Sequence, residues 1–270
     1  MQVTQLRIYP VKSLAGTDVE SATVEPWGLE GDRRWGLVDE AGEKVTAREL
    51  HALLGLRAQA VDDETIRIHA GEESILVDIP LGLPPIPVSH ARQGFAPPAD
   101  QDVSEWISER VGRSLRLVWQ EDPRVRRVSG AHGGLDGDTL SLADAGPLLL
   151  TSQSSLAQLD EWIAAEGDEP ATGGLSMLRF RPNVVIDGEA PFAEDSWPRV
   201  RIGEVEFRTA EVCDRCVMTT IDPETLATGK EPVRTLARYR HWDGKTWFGT
   251  RLVPLGEGEL RVGDEVVPLG

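Results

Sequence analysis

The chain has two cysteines, and they stand in a C-x-x-C spacing, Cys213-Asp214-Arg215-Cys216. Four chemistries use such a pair. Structural zinc needs four ligands, and this chain has no second C-x-x-C and only five scattered histidines (His51, His69, His90, His132 and His241). A thioredoxin-type redox pair sits between a strand and a helix, whereas Val217-Met218-Thr219-Thr220-Ile221 reads as a strand. Two cysteines can also simply be small buried apolar groups. Finally, Cys216 can serve alone as a metal-ligating thiolate, favoured by the adjacent Arg215 and suited to a soft or high-valent metal. Spacing alone leaves all four readings open.

Charge narrows the partners. With 45 acidic against 28 basic residues, the formal net charge is −17. Most of such a surface repels a phosphate backbone, so nucleic acid is not expected as a partner. Against this background Lys12, Arg33, Arg34, Arg179, Arg181 and Arg215 recur near motif-like segments and suggest a local site for an anionic ligand. His132-Gly133-Gly134 is glycine-rich but lacks the Lys-Ser/Thr of a nucleotide-binding loop. No serine–histidine–acid arrangement is recognisable. The eight tryptophans are expected mostly in core or rim packing, with Trp242 and Trp247 flanking a hairpin-like Asp243-Gly244 turn.

The elements that must position these groups are mainly short strands. Alternating apolar residues place strands at Val3–Tyr9, Trp35–Val38, Lys44–Ala47, Arg57–Val61, Thr65–His69, Ile75–Ile79 and Leu115–Trp119. Further strands are expected at Val184–Asp187, Val200–Ile202, Glu204–Thr209, Val217–Ile221 and Trp247–Val253, with a closing hairpin of Glu259–Val262 and Glu265–Pro268 over Gly263-Asp264. Three helices are expected. The first opens with a capping box, Asp102-x-x-Glu105, and stops at Gly112. The second carries Leu156, Leu159 and Ile163 after Ser152–Ser155 and ends near Gly167. The third starts at Pro232 and runs to about Tyr239. Strands outnumber helices and do not alternate with them, so the fold class is mainly β with few helices (α+β), and barrel-like. Pro80–Pro98 carries six prolines and reads as an irregular connection, while Glu121-Asp122-Pro123 gives the better boundary between a 1–121 and a 122–270 domain.

Beyond the spacing, Cys213-Asp214-Arg215-Cys216-Val217-Met218-Thr219-Thr220-Ile221-Asp222-Pro223 resembles the cofactor-ligand motif of the MOSC-domain family, in the branch of the amidoxime-reducing component and its bacterial relatives. The likeness continues in order along the chain. It takes in Tyr9-Pro10-Val11-Lys12-Ser13, Asp32-Arg33-Arg34-Trp35, Thr46-Ala47-Arg48, Phe180-Arg181-Pro182-Asn183, Ala193-Glu194-Asp195-Ser196-Trp197, Lys230-Glu231-Pro232 and Phe248-Gly249. The resemblance implies an N-terminal MOSC-type barrel-like domain followed by a MOSC β-barrel domain. It implies Cys216 as catalytic residue and molybdenum ligand, with a pterin dithiolene supplying two further sulfurs. Lys12, Ser13 and Arg33 fall on positions that grip the pterin's terminal phosphate, for which ammonium, hydroxyl and guanidinium are apt groups. Arg181, Asn183, Asp214 and Arg215 fall on positions lining the pterin, as does Asp144 near a loop where relatives carry hydroxyl side chains. Arg251 stands where relatives have a tyrosine, which implies a different substrate pocket. Cys213 is expected as a small buried apolar group.

The function so implied is reduction of N-hydroxylated small molecules by a molybdenum–molybdopterin cofactor without an appended nucleotide. The alternative is a non-catalytic carrier of that cofactor or of sulfur. Two cysteines cannot build a Cys₄ iron–sulfur cluster, so an external donor is expected, a small haem or iron–sulfur protein with a flavoprotein reductase. No stretch approaches the roughly 20 apolar residues of a membrane span. The N-terminus has no basic-then-apolar signal pattern, and cysteine is rare. A cytoplasmic location is the expectation.

Overall fold

The computed structural model describes residues 1–90, 93–166 and 174–270. Its largest element is a nine-stranded sheet built from β1 (Val3–Ile8), β2 (Thr17–Val19), β3 (Leu148–Ser152), β4 (Val184–Ile186), β5 (Arg199–Ile202), β6 (Val205–Asp214), β7 (His241–Trp242), β8 (Lys245–Pro254) and β9 (Val266–Leu269). The ladder order is β2-β1-β4-β3-β8-β6-β5-β9, with β7 folded back on β8. Only the β3–β4 pairing is parallel. The β1 and β9 sides of the sheet meet through one bridge, Gln2 to Glu265, and hydrogen bonds from Val3 N to Asp264 O (2.9 Å), Gly263 N to Val3 O (2.8 Å) and Val266 N to Met1 O (2.9 Å). The result is barrel-like without a continuous closed ladder.

Three-stranded and two-stranded sheets complete the β structure. Trp35–Val38 lies between Arg116–Trp119 and Lys44–Val45, and Arg57–Ala60, Thr65–Ala70 and Glu73–Asp78 form a meander. Ser21–Glu25 pairs with both Gly28–Leu29 and Gly258–Arg261. Ile86–Val88 pairs with Gly94–Ala96 inside the proline-rich connection. The helices are α1 (Gln101–Val111), α2 (Gln153–Ala165) and α3 (Val233–Tyr239). Among the described residues the class is mostly β with three helices, as the strand pattern implies.

Two main apolar cores result. Trp35, Leu37, Leu53, Ile68, Ile107 and Leu117 pack in one, and Leu6, Leu29, Leu150, Ile186, Phe207 and Leu252 in the other. The chain crosses between them more than once. β1, β2 and Ser21–Glu25 join sheets completed by C-terminal strands, and Ile221 packs into the N-terminal core. Neighbouring cores tied by crossing segments leave a seam, and that seam holds the site.

Several local expectations are corrected. Val217–Thr220 is a single 3-10 turn, not a strand. The Thr219 hydroxyl donates to Cys216 O (3.0 Å) and the Thr220 hydroxyl to Val217 O (2.7 Å), local bonds that compete with sheet pairing. Gly258–Arg261 and Val266–Leu269 do turn over Gly263-Asp264 but do not pair with each other. Each joins a different sheet, where a partner strand offers a fuller ladder. The first helix begins two residues early, capped at Asp100 without a side-chain bond, so Asp102 lies in its first turn and no capping box forms. Its stop at Gly112 (φ 70°) is as expected. The second helix reaches Ala165, and Gly167 lies outside the described residues.

Gly249 shows why one position in central strand β8 admits no side chain. Its φ is +72°, and an added Cβ would stand 2.8 Å from Leu150 O and 2.8 Å from Thr151 Cγ2. A left-handed residue costs roughly 1–2 kcal/mol, and here a neighbouring backbone carbonyl must also shift. Gly249→Ala should therefore lower unfolding free energy by about 2–3 kcal/mol, read from the urea midpoint. An unchanged midpoint would contradict the packing described.

Candidate cofactor and metal-ligand site

The seam opens as a cleft of about 410 Å³, and all nine residues singled out by sequence line it. They are Lys12, Ser13, Arg33, Asp144, Arg181, Asn183, Asp214, Arg215 and Cys216. Eight Lys or Arg side chains border the cleft against two Asp, although the whole chain carries −17. Concentrating like charge this way is unfavourable unless an anion is present or the protein supplies counter-groups.

The N-terminal wall is built where Pro10 ends β1. Lys12 N donates to Trp35 O (2.8 Å), Arg33 N to Tyr9 O (2.7 Å) and Trp35 N to Pro10 O (3.0 Å), clamping the two segments together. Ser13, Arg33 and Arg181 all have left-handed backbones, with φ of 77°, 51° and 55°. Such strain gathers at sites that a fold over-determines. The Tyr9 ring carries two guanidinium groups, Arg33 at 4.4 Å and Arg181 at 4.3 Å from its centroid. Arg33 is further fixed by Asp32 (2.5 Å), Asn183 Oδ1 (3.0 Å) and Arg181 O (3.1 Å). Burial outweighs every favourable neighbour at Arg181 and pulls it down to about 10.

Asp144 is the hub of the cleft. One carboxylate oxygen accepts from Lys12 Nζ (2.5 Å) and the other from Arg48 Nη2 (2.6 Å). Burial pushes its carboxyl up, but Lys12 and Arg48 together outweigh burial and hold it well below the usual range. Burial pulls the Lys12 ammonium down to about 8, against the opposing pull of Asp144. Lys12 also donates to Leu142 O (2.6 Å), and Arg126 binds the carbonyls of Ser141, Ala143 and Asp144, so the loop carrying Asp144 is pinned from two sides.

The C-terminal wall follows from β6, whose pairing with β8 shifts register between Val212 and Asp214. Beyond the strand end, Arg215 N donates to Thr246 O (2.7 Å), and Cys216 then caps the 3-10 turn with its thiol exposed. Cys213 is buried, with Sγ 3.5 Å from Asp214 O, as expected of a small apolar side chain. The cation that sequence places beside Cys216 is not the one that meets its sulfur. Arg215 turns away to Phe248 O (2.8 Å) and Phe180 O (3.1 Å), leaving its buried Nη2 without a partner. Arg48 Nε instead lies 3.5 Å from Cys216 Sγ. Arg48 belongs to the Thr46-Ala47-Arg48 segment, yet no spacing argument could join it to a cysteine 168 positions away.

Arg251 is also on the cleft, bound to Glu211 and to Asp214 Oδ1 (2.6 Å), and Glu211 also meets His132 Nδ1 (2.7 Å). Sequence marked Arg251 as a departure but could not supply these partners. Asn183 lines the cleft too, although its amide is engaged within the protein, with Arg7 O, Leu149 N and Arg33. Among the described residues no group of three or more His, Cys, Asp and Glu converges on a metal-binding position.

Residues 1–114 match the MOSC N-terminal beta barrel domain and residues 137–267 match the MOSC domain; the chain belongs to the MOSC family. It is 34% identical to mitochondrial amidoxime-reducing component 1 of Mus musculus, over 99% of this chain and 82% of that one. Against the Homo sapiens protein of the same name it is 32% identical, over 99% and 83%. It is also 32% identical to the molybdenum cofactor sulfurase of Oryza sativa subsp. japonica, over 97% of this chain and 35% of that longer protein.

Two outcomes follow from this geometry. Tyr9→Leu removes two cation–π contacts, each about 0.5–2 kcal/mol, and should lower the thermal midpoint, whereas Tyr9→Phe should not. The Tyr9 hydroxyl is buried without a partner, so its loss is harmless. A midpoint equally lowered in both variants would show that the ring contacts are not what matters. Inorganic phosphate, mostly dianionic by the time Lys12 titrates, should bind the cofactor-free protein more weakly as pH rises through about 8, where Lys12 loses its proton. Lys12→Arg should flatten that decline in a calorimetric titration, and a decline that persists unchanged would contradict the assignment.

Proposed function

We propose that this protein is a molybdenum-cofactor-dependent reductase of N-hydroxylated compounds such as amidoximes and hydroxylamines, supplied with electrons by a separate donor protein. The observation that carries the reading is an exposed thiol, Cys216, on a cleft bordered by eight cations in a strongly acidic chain. The relatives named for amidoxime reduction cover nearly the whole chain and point the same way.

The residues present fit a phosphate-tailed pterin. The unpartnered Arg215 Nη2 is a buried donor awaiting an acceptor, and the Arg181 guanidinium makes no hydrogen bond among the described residues. Lys12, Ser13 and Arg33 would hold the phosphate. Arg181, Asn183, Asp214 and Arg215 would line the pterin, and Cys216 would give the metal its protein sulfur. The bound cofactor, in its form without a nucleotide, supplies the two-electron removal of oxygen. The reaction converts an N–OH group to N–H, consumes two electrons and two protons, and releases water. The protein's part is to orient the cofactor, neutralise its phosphate and leave the sulfur face open to a small substrate. The Arg251–Glu211–His132 chain gives that opening an ionic wall where relatives place a tyrosine.

A second reading, a non-catalytic carrier of the cofactor or of sulfur, is favoured by the match to molybdenum cofactor sulfurase, of which this chain spans about a third. Protein made in a host that synthesises the pterin should contain molybdenum and, with reduced viologen, should convert benzamidoxime to benzamidine. Cys216→Ser should lose most of the metal and fall at least 100-fold in turnover, of the order seen when a metal site is disturbed. Metal without turnover, together with transfer to an apo-enzyme, would replace the reductase by the carrier.

A further inference from the structure

We infer that Arg48 is a positioning residue for Cys216, setting the orientation and charge of its sulfur from the opposite side of the cleft. This inference rests on the proposed role of Cys216 as a molybdenum ligand. The guanidinium is shared in a defined way: Nε faces Cys216 Sγ at 3.5 Å, and Nη2 binds Asp144 at 2.6 Å. Asp144 is held in turn by Lys12 at 2.5 Å. One chain of contacts, Lys12–Asp144–Arg48–Cys216, therefore joins the group placed to meet a phosphate to the sulfur placed to meet the metal.

The local backbone makes this contact dependable. Thr46 to Leu50 form a tight turn in which Glu49 N and Leu50 N both donate to Thr46 O (3.1 Å each), and the Glu49 carboxylate accepts from Thr46 N (3.0 Å). The turn sits against the N-terminal core through Ala47 and Leu50. Cys216 lies beyond the end of β6, and the turn that follows it packs Met218 and Ile221 into the same N-terminal core. Arg48 therefore reaches the sulfur from a turn remote in sequence, and it approaches the sulfur as a planar fork fixed at its far side by Asp144. Burial pulls against its charge, but Asp144 is the larger influence and keeps Arg48 firmly protonated. Arg215, adjacent in sequence, has its guanidinium committed to two backbone carbonyls. A cation donating to a metal-bound thiolate withdraws charge from the sulfur. Hydrogen bonds to ligand sulfurs are a recognised lever on reduction potential. Here it should favour the more electron-rich, reduced state.

The test uses metal-loaded wild type, Arg48→Ala, Arg48→Gln and Arg48→Lys, titrated electrochemically while the singly reduced state is followed by electron paramagnetic resonance. Arg48→Ala should keep its molybdenum but shift the one-electron equilibrium roughly tenfold towards the oxidised state, about 59 mV downward, with an altered resonance spectrum. Arg48→Lys keeps the charge without the fork and should lie between Arg48→Ala and wild type. If Arg48→Ala fails to fold or load, Arg48→Gln and Arg48→Lys still decide the question. Wild-type midpoints and spectra in the variants that load would overturn the inference, because a purely structural Asp144–Arg48 pair would lower only thermal stability. Folded variants that all lack metal would also overturn it, since Arg48 would then hold the cofactor rather than tune the sulfur. Wild type itself lacking molybdenum would instead overturn the proposed function.

Discussion

Eight cationic side chains crowd one cleft of a protein whose surface is otherwise acidic, and the fold must make that arrangement tolerable. Buried like charges repel, and each loses hydration. Asp32, Asp222 and the Glu211 and Asp214 carboxylates meet Arg33, Arg179 and Arg251 directly, and the remaining counter-groups are neutral or shared. Backbone carbonyls of Leu142, Phe180, Arg181 and Phe248 accept from Lys12, Arg215 and Arg33, the Tyr9 ring carries two guanidiniums, and Asp144 serves two cations at once. Carbonyls and a ring do not cancel a formal charge. The cleft therefore retains a net positive field, and an anionic ligand would complete it.

The same constraint accounts for the topology. No single local motif could bring these groups together. Lys12 and Arg33 come from the segments clamped at the end of β1, Arg48 from a turn on the N-terminal core, Asp144 from the loop before β3, and Cys216 from the turn beyond β6. Two cores knitted by crossing strands present two walls, joined by polar contacts across the cleft and by Ile221 packed into the N-terminal core. Cys216 can thus stay exposed while its neighbours are fixed, which a metal ligand requires and a buried structural cysteine such as Cys213 does not.

The fold class was legible in the sequence because alternation and turn residues are local signals, and most strands fall where alternation puts them. The misplacements have physical causes. Val217–Ile221 has β-branched composition, but the hydroxyls of Thr219 and Thr220 bind back to their own turn. The terminal strands have the right turn between them, yet each finds a better partner in a different sheet. At the site, a family resemblance carried nine residues to one cleft, which neither spacing nor composition could have done. Arg48 escaped because its partnership with Cys216 exists only in three dimensions, whereas Arg215, expected to favour the thiolate electrostatically, stays a nearby charge with its guanidinium bound to two carbonyls.

The central claim is that the Cys216 sulfur is a molybdenum ligand. X-ray absorption at the molybdenum edge, on protein from a host that makes the pterin, tests it most directly. The account predicts a thiolate sulfur at bonding distance in addition to the pterin's dithiolene pair, and its loss in Cys216→Ala. A metal shell holding the dithiolene pair alone in wild type, with the Cys216 thiol still free to alkylate, would contradict it.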